Sequence, residues 1–181
     1  MKEPTPNIPE LFEDDRGYCL LGAKTLLNRI EELENQIGGA KKNDDIEYVH
    51  KLRVASRRVR TALSIFEECL PTKLTKKWKK TIKNLTSSSG AARDVDVQVA
   101  FLENYSTHED SRAAPGLEYL IKLQKARRAG MQSDLIKVLE SLEASEILDE
   151  ISDSWRTIRR SEDSENSTSR HYPHPRKPTI T

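Results

Sequence analysis

The sequence predicts an all-α protein, an antiparallel bundle of helices. Three observations lead there. Apolar residues make up 35% of the chain and charged residues 33%, with only 6% aromatic, a balance that favours helices over sheets. Apolar side chains recur at intervals of three and four residues, the period of one helical face. No stretch alternates apolar and polar residues as a half-buried strand would. The 181 residues suffice for one domain with a real core.

Each element follows from its own residues. Residues 1–10 hold three prolines and read as an irregular lead-in. A first helix is expected at 11–37, where Leu20, Leu27, Ile30 and Ile37 fall near one face and Gly38-Gly39 should end it. Asp44 followed by Glu47 resembles a capping box and opens a second helix at 45–69, stopped by Pro71. Thr72 caps a third helix at 73–86. The polar "TSSSG" should break the chain before a fourth helix at 91–105. After a loop containing Pro115-Gly116, Met131, Leu135, Val138 and Leu142 keep one helical face within a helix at 117–150. The expected domain is 11–155. Residues 156–181 are expected to form a disordered tail, because "SEDSENSTSRHYPHPRKPTIT" is almost without apolar side chains.

Charge is distributed very unevenly. Residues 50–93 hold twelve Lys/Arg and two acids, Glu67 and Glu68, a net of +10; the rest of the chain has 18 Lys/Arg against 27 acids, a net of −9. A concentrated positive field is the usual footprint of a polyanionic partner. On a helix at about 100° per residue, His50, Arg53, Arg57 and Arg60 share an arc of roughly 80°. Leu52, Ala55, Val59, Leu63 and Phe66 share the far side, and Lys51 and Arg58 sit to one flank. The next helix repeats the design, with Leu74, Trp78, Ile82 and Leu85 on one face and Lys76, Lys79, Lys80 and Lys83 opposite. Carboxylates at i,i+4, which an ordinary solvated face would carry, are missing. An anion between the stripes would relieve their mutual repulsion. Arginine forks suit phosphate oxygens, and lysine adds a mobile point charge.

At these residues the sequence resembles a known family. "VHKLRVASRRVRTALSIFE", followed about 25 residues on by "GAARDVDVQ", is similar to the first half of a CHAD domain, the conserved histidine α-helical domain. His50, Arg53, Arg57, Arg58, Arg60, Arg93 and Asp94 match its pattern position by position, and the resemblance covers roughly residues 11–150. It implies an all-helical domain of two related four-helix halves around a basic channel, here one half plus a connecting helix. It also implies non-catalytic binding of inorganic polyphosphate, at polyphosphate granules in some members. His50 would be the namesake histidine. Arg53, Arg57 and Arg60 would line the channel with Lys76, Lys79, Lys80, Lys83 and Arg93, and Asp94 would orient an arginine. A second His/Arg helix is not found: His108 lies in an acidic loop, and the prolines of "SRHYPHPRKP" forbid a helix. The chain is therefore either a fragment or one partner of a homodimer that rebuilds the channel.

Other chemistries find little support. There is no glycine-rich phosphate loop, Ser-His-Asp set or HExxH, so neither a catalytic residue, a metal site nor a cofactor is expected. His171 and His174 lack neighbouring ligands. Cys19 and Cys69 read as buried small apolar side chains, with one disulfide allowed. No run approaches the ~18 apolar residues of a membrane span, and the first residues carry no signal-peptide core, so a cytoplasmic protein is expected. Two alternatives to polyphosphate binding stand. A nucleic-acid binder fits the charge but lacks aromatic platforms for bases. An accessory domain of a phosphoanhydride-processing enzyme fits the cations but lacks metal-holding carboxylates.

Overall fold

The computed structural model describes residues 13–107 and 113–168. They form five helices and no strand: α1 (Glu13–Lys42), α2 (Ile46–Ile65), α3 (Thr72–Ser106), α4 (Ala114–Ala144) and α5 (Ile147–Thr168), with a 3₁₀ turn at Glu67–Cys69 after α2. The expected all-α bundle is present. α1, α2, α3 and α4 pack in chain order, and α5 returns to lie on α1. The core runs through all five: Leu26, Ile30 and Leu33 of α1, Leu52, Val59 and Leu63 of α2, Trp78, Ile82 and Leu85 of α3, Leu135 and Leu139 of α4, and Ile151 and Trp155 of α5. Among the described residues no helix is long and apolar enough to cross a membrane.

Three boundaries of the first two helices differ from expectation, each for a local reason. α1 does not stop at Gly38-Gly39. It continues to Lys42 and ends at Asn43, whose φ of 56° is the left-handed cap conformation and whose amide donates to Gly39 O at 3.0 Å. Gly39 serves close approach instead, since a Cβ there would lie 2.2 Å from Cδ1 of Tyr48. The cap of α2 is Asp45, not Asp44: its Oδ1 accepts from the Glu47 amide at 2.8 Å. α2 then ends at Ile65, and 67–69 tighten into the 3₁₀ turn.

The expected break at "TSSSG" is absent, and α3 runs unbroken from Thr72 to Ser106. The hydroxyls bond back to their own helix, Thr86 Oγ1 to Ile82 O and Ser89 Oγ to Leu85 O, both at 2.8 Å. Conversely, the helix expected at 117–150 is two helices, separated at Glu146 with φ 49°. α5 carries on through Thr168, with Trp155 and Ile158 buried, so the expected domain end at 155 falls inside a helix. The lead-in at 1–10, the His108 loop and the expected tail at 169–181, with His171 and His174, lie outside the described residues.

Cys19 and Cys69 are buried as expected, and they are joined in a disulfide with Cα atoms 5.5 Å apart. The bond ties the start of α1 to the 3₁₀ turn after α2.

Candidate functional site: a basic surface on α2 and α3

α2 separates core from charge as its spacing dictates. Leu52, Ala55, Val59, Ala62 and Leu63 are buried, while Arg57 and Arg58 are exposed and His50, Arg53 and Arg60 are half-buried. On α3, Trp78, Ile82 and Leu85 are buried, Lys76, Lys80 and Lys83 are exposed, and Lys79 is half-buried. Leu74 is partly buried against the same core.

The two helices run antiparallel, and their contacts fix the register. At one end Arg93 Nη2 lies 4.0 Å from Glu47 Oε1. Next, Arg53 crosses Gly90, where an added Cβ would come within 2.9 Å of its Nη1, and that nitrogen donates to Asp94 Oδ1 at 3.3 Å. At the other end Lys79 pairs with Glu67. Between these contacts Arg60 of α2 comes level with Lys83 of α3. Arg53, Arg60, Lys79, Lys83 and Arg93 therefore follow the seam between the two helices. At ~1.5 Å per residue, the fourteen residues from Lys79 to Arg93 span about 21 Å along it. The surface is elongated, suited to a linear anion more than to a compact one.

The stripe is also split. On its other flank, α2 makes a groove with α1. A cavity of about 420 Å³ there is lined by Arg57, Arg58 and Arg29, with Thr25 and Thr61 beside an apolar floor that includes Phe66. A second hollow of about 300 Å³ is lined by His50, Lys51 and Arg58 with Glu32 and Gln36. His50 and Arg57 thus line the α1 side, while Arg53, Lys79 and Arg93 engage partners across the α3 side. Arg29 was not singled out from sequence. It stands outside the basic segment, and only the packing of α1 on α2 brings it near; its Nη1 donates to both Glu32 oxygens, at 2.6 and 2.8 Å.

Carboxylates missing at helical spacing arrive from elsewhere in the fold. Asp94 pairs with Arg53, Glu67 with Lys79, Glu47 with Arg93 and Glu32 with Arg58 at 3.6 Å. These contacts lie at the surface, where a pair stabilises by at most about 1 kcal/mol, so phosphate oxygens can replace the carboxylates cheaply. Arg57, Arg60, Lys76, Lys80 and Lys83 have no carboxylate partner among the described residues.

Asp94 and Asp96, two apart in sequence, point to different places. Asp94 meets Arg53 at the basic surface. Asp96 is 6% exposed and its Oδ1 accepts from Nε of Arg128 at 2.7 Å. Arg128 also donates to Gln132 Oε1 at 2.9 Å and Asn43 Oδ1 at 3.0 Å, and Gln132 Nε2 donates to Ala40 O at 2.8 Å. This network joins α1, α3 and α4 at the side away from the stripe and is structural.

A family model, the CHAD domain, matches residues 24–175, most of the chain and beyond the span at which the basic motif ends. No curated protein matches the chain, and no solved structure does.

Proposed function

The chain belongs to the CHAD-domain family, and we propose that it binds inorganic polyphosphate, without catalysis, along the basic surface of α2 and α3. The observation that carries this reading is the set of cations left without carboxylate partners among the described residues on two adjacent helices: Arg57 and Arg60 on α2, Lys76, Lys80 and Lys83 on α3. Arg53, Lys79 and Arg93 stand beside them, held by surface pairs that a phosphate chain can displace, and His50 extends the row towards α1. Recruitment to polyphosphate granules would follow from that binding.

Charge neutralisation supplies most of the affinity, so binding should weaken steeply as salt rises. The test is a competition between labelled long-chain polyphosphate and single- or double-stranded nucleic acid of matched charge. Polyphosphate is expected to win. Stronger protection by nucleic acid would favour the nucleic-acid reading, and phosphate release that depends on His50, measured with and without magnesium, would replace the binding role by an enzymatic one.

A further inference from the structure

α3 and α4 continue well past the bundle. The last buried residue of α3 is Asp96 and the first of α4 is Arg128. Beyond them, residues 97–107 and 113–127 contain no buried residue. They form a two-helix arm that has no core of its own. Its surface nevertheless carries Val97, Phe101, Tyr105, Tyr119, Leu120 and Leu123, each between 43% and 67% exposed. Phe101 and Tyr105 stack on each other with ring centroids 6.2 Å apart.

Four of these six residues share one face of the arm. Glu103 Oε1 and Lys125 Nζ pair at 2.7 Å across one face. At about 100° per residue, Phe101 and Tyr105 lie roughly 160–200° around α3 from Glu103, and Leu120 and Leu123 roughly 160–220° around α4 from Lys125. The offsets have the same sense on two antiparallel helices, so both sets lean towards the face opposite the ion pair. The Glu103–Lys125 pairing also puts Tyr105 level with Leu123.

We propose that this face is a dimerisation surface, and that its occupant is the same arm of a second copy of the chain, the two arms forming an antiparallel four-helix bundle about a two-fold axis. Area and charge select that occupant. With on the order of 200 Å² per large apolar side chain, the exposed fractions of Phe101, Tyr105, Leu120 and Leu123 add to about 400 Å² of apolar surface per protomer. At the ~57% apolar share of a typical interface that corresponds to about 700 Å² in all, close to the ~800 Å² per partner of a specific interface. The described residues of the arm, 97–107 and 113–127, hold two acidic and three basic residues, so two arms meet with little net repulsion and offer no strongly cationic face to an anionic membrane. One patch used twice satisfies two-fold symmetry. The pairing differs from one that sets the basic stripes face to face: on α3 the lysines lie at least 18 residues from Phe101, about 27 Å, and Arg93 eight residues, about 12 Å, so the lysine stripe lies outside the dimer contact. It holds whether or not polyphosphate is the ligand.

Sedimentation of the full chain across a concentration series tests it, in low salt and at about 0.5 M salt, where surface charge is largely screened, with and without polyphosphate. A dimer is expected that grows with protein concentration and survives both salt and polyphosphate. Phe101→Glu combined with Leu123→Glu should return it to monomer, with helicity by circular dichroism and polyphosphate binding per protomer retained. Leu120→Ser, a milder change on the same face, should raise the dimerisation midpoint several-fold and decides the matter if the double variant does not fold. A chain monomeric throughout, a dimer indifferent to these substitutions, or a dimer formed only when polyphosphate is added would each overturn the proposal.

Discussion

Gly90→Ala separates the stability of the groove from its function. Gly90 is buried in the middle of α3, in helical conformation, with Arg53 lying over it. Alanine is favoured over glycine in a helix interior by about 0.8–1 kcal/mol. The new methyl would come within 2.9 Å of Arg53 Nη1 and 3.6 Å of its Cζ. Both atoms are at the far end of a flexible side chain, so Arg53 moves and the helix does not. The movement breaks the Arg53–Asp94 pair, whose side chains are 36% and 69% exposed, at a cost of about 0–1 kcal/mol. Net stability therefore stays level or rises by up to ~1 kcal/mol, a melting shift of about 2–4 °C or less for a chain of this size. Binding should respond in the opposite direction. A hydrogen bond to a charged group contributes about 1.5–3 kcal/mol, and losing even half of one lowers affinity several-fold. Thermal melting and a polyphosphate titration on the same preparation read both. Unchanged affinity beside unchanged stability would show that Arg53, as Gly90 places it, is not part of the site. A loss of more than ~2 kcal/mol would show that the contact is not relieved by moving Arg53.

Arg57→Ala and Lys80→Ala should each weaken polyphosphate binding and leave the melting temperature near that of the parent, whereas Val59→Asp puts a charge into the core and should unfold the domain; equal destabilisation by Arg57→Ala would make the stripe structural. Asp96→Ala strands the Arg128 guanidinium, 9% exposed, and should cost about 3–5 kcal/mol while polyphosphate affinity in the folded state is unchanged; a loss under ~1 kcal/mol would contradict the network's role. Partial desolvation, and then the nearby Asp149, hold the Glu34 carboxyl above its ordinary range. A carboxyl with a raised folded-state pKa favours the fold when protonated, and that advantage is lost as pH rises through the folded value, so Glu34→Gln should slightly stabilise the protein at neutral pH and not in acid. A chemical-denaturation series at pH 4 and pH 7 that gave the larger gain in acid would reverse that sign. Reduction of Cys19–Cys69, which closes a separation of 50 residues, should lower stability by about 2–4 kcal/mol; an unaltered melt with reductant would show that packing alone holds α1 to the turn.

The helices were legible because burial obeys their period, and the boundaries were missed where tertiary contacts outrank local preference. Gly38-Gly39 looks like a stop, yet the Tyr48 ring packed on Gly39 makes it part of a continuing helix. "TSSSG" looks like a loop because its hydroxyls compete for backbone partners, and in α3 those partners are the helix's own carbonyls. The division at Glu146 had a signal in the phase of the apolar residues. After Leu135, Leu139 and Leu142 the next positions on that face are Ser145 and Glu146, and apolar residues resume one step late at Ile147, Leu148 and Ile151. Neither glycine nor proline marks the break, so punctuation alone cannot find it.

The site shows the same limit in electrostatic form. Helical spacing placed His50, Arg53, Arg57, Arg60 and the four lysines on polar arcs, and in the fold those side chains are exposed or half-buried. Spacing could not show that Arg53, Arg58, Lys79 and Arg93 find Asp94, Glu32, Glu67 and Glu47 across helix boundaries, because ion pairs between helices leave no period in the sequence. The consequence bears on mechanism. If all the cations were unpaired, α2 and α3 would repel along their whole length and a ligand would be needed to hold them together. With four of them paired and the buried apolar faces beneath, the groove is assembled before any anion arrives. On the proposed reading, polyphosphate would then meet a surface that is already ordered: Arg57, Arg60, Lys76, Lys80 and Lys83, without carboxylate partners among the described residues, would attract it, and the paired residues would exchange weak surface contacts for phosphate oxygens. Preorganisation of this kind keeps the ordering cost out of binding, which is why substitutions on the unpaired row should change affinity without moving the melting temperature.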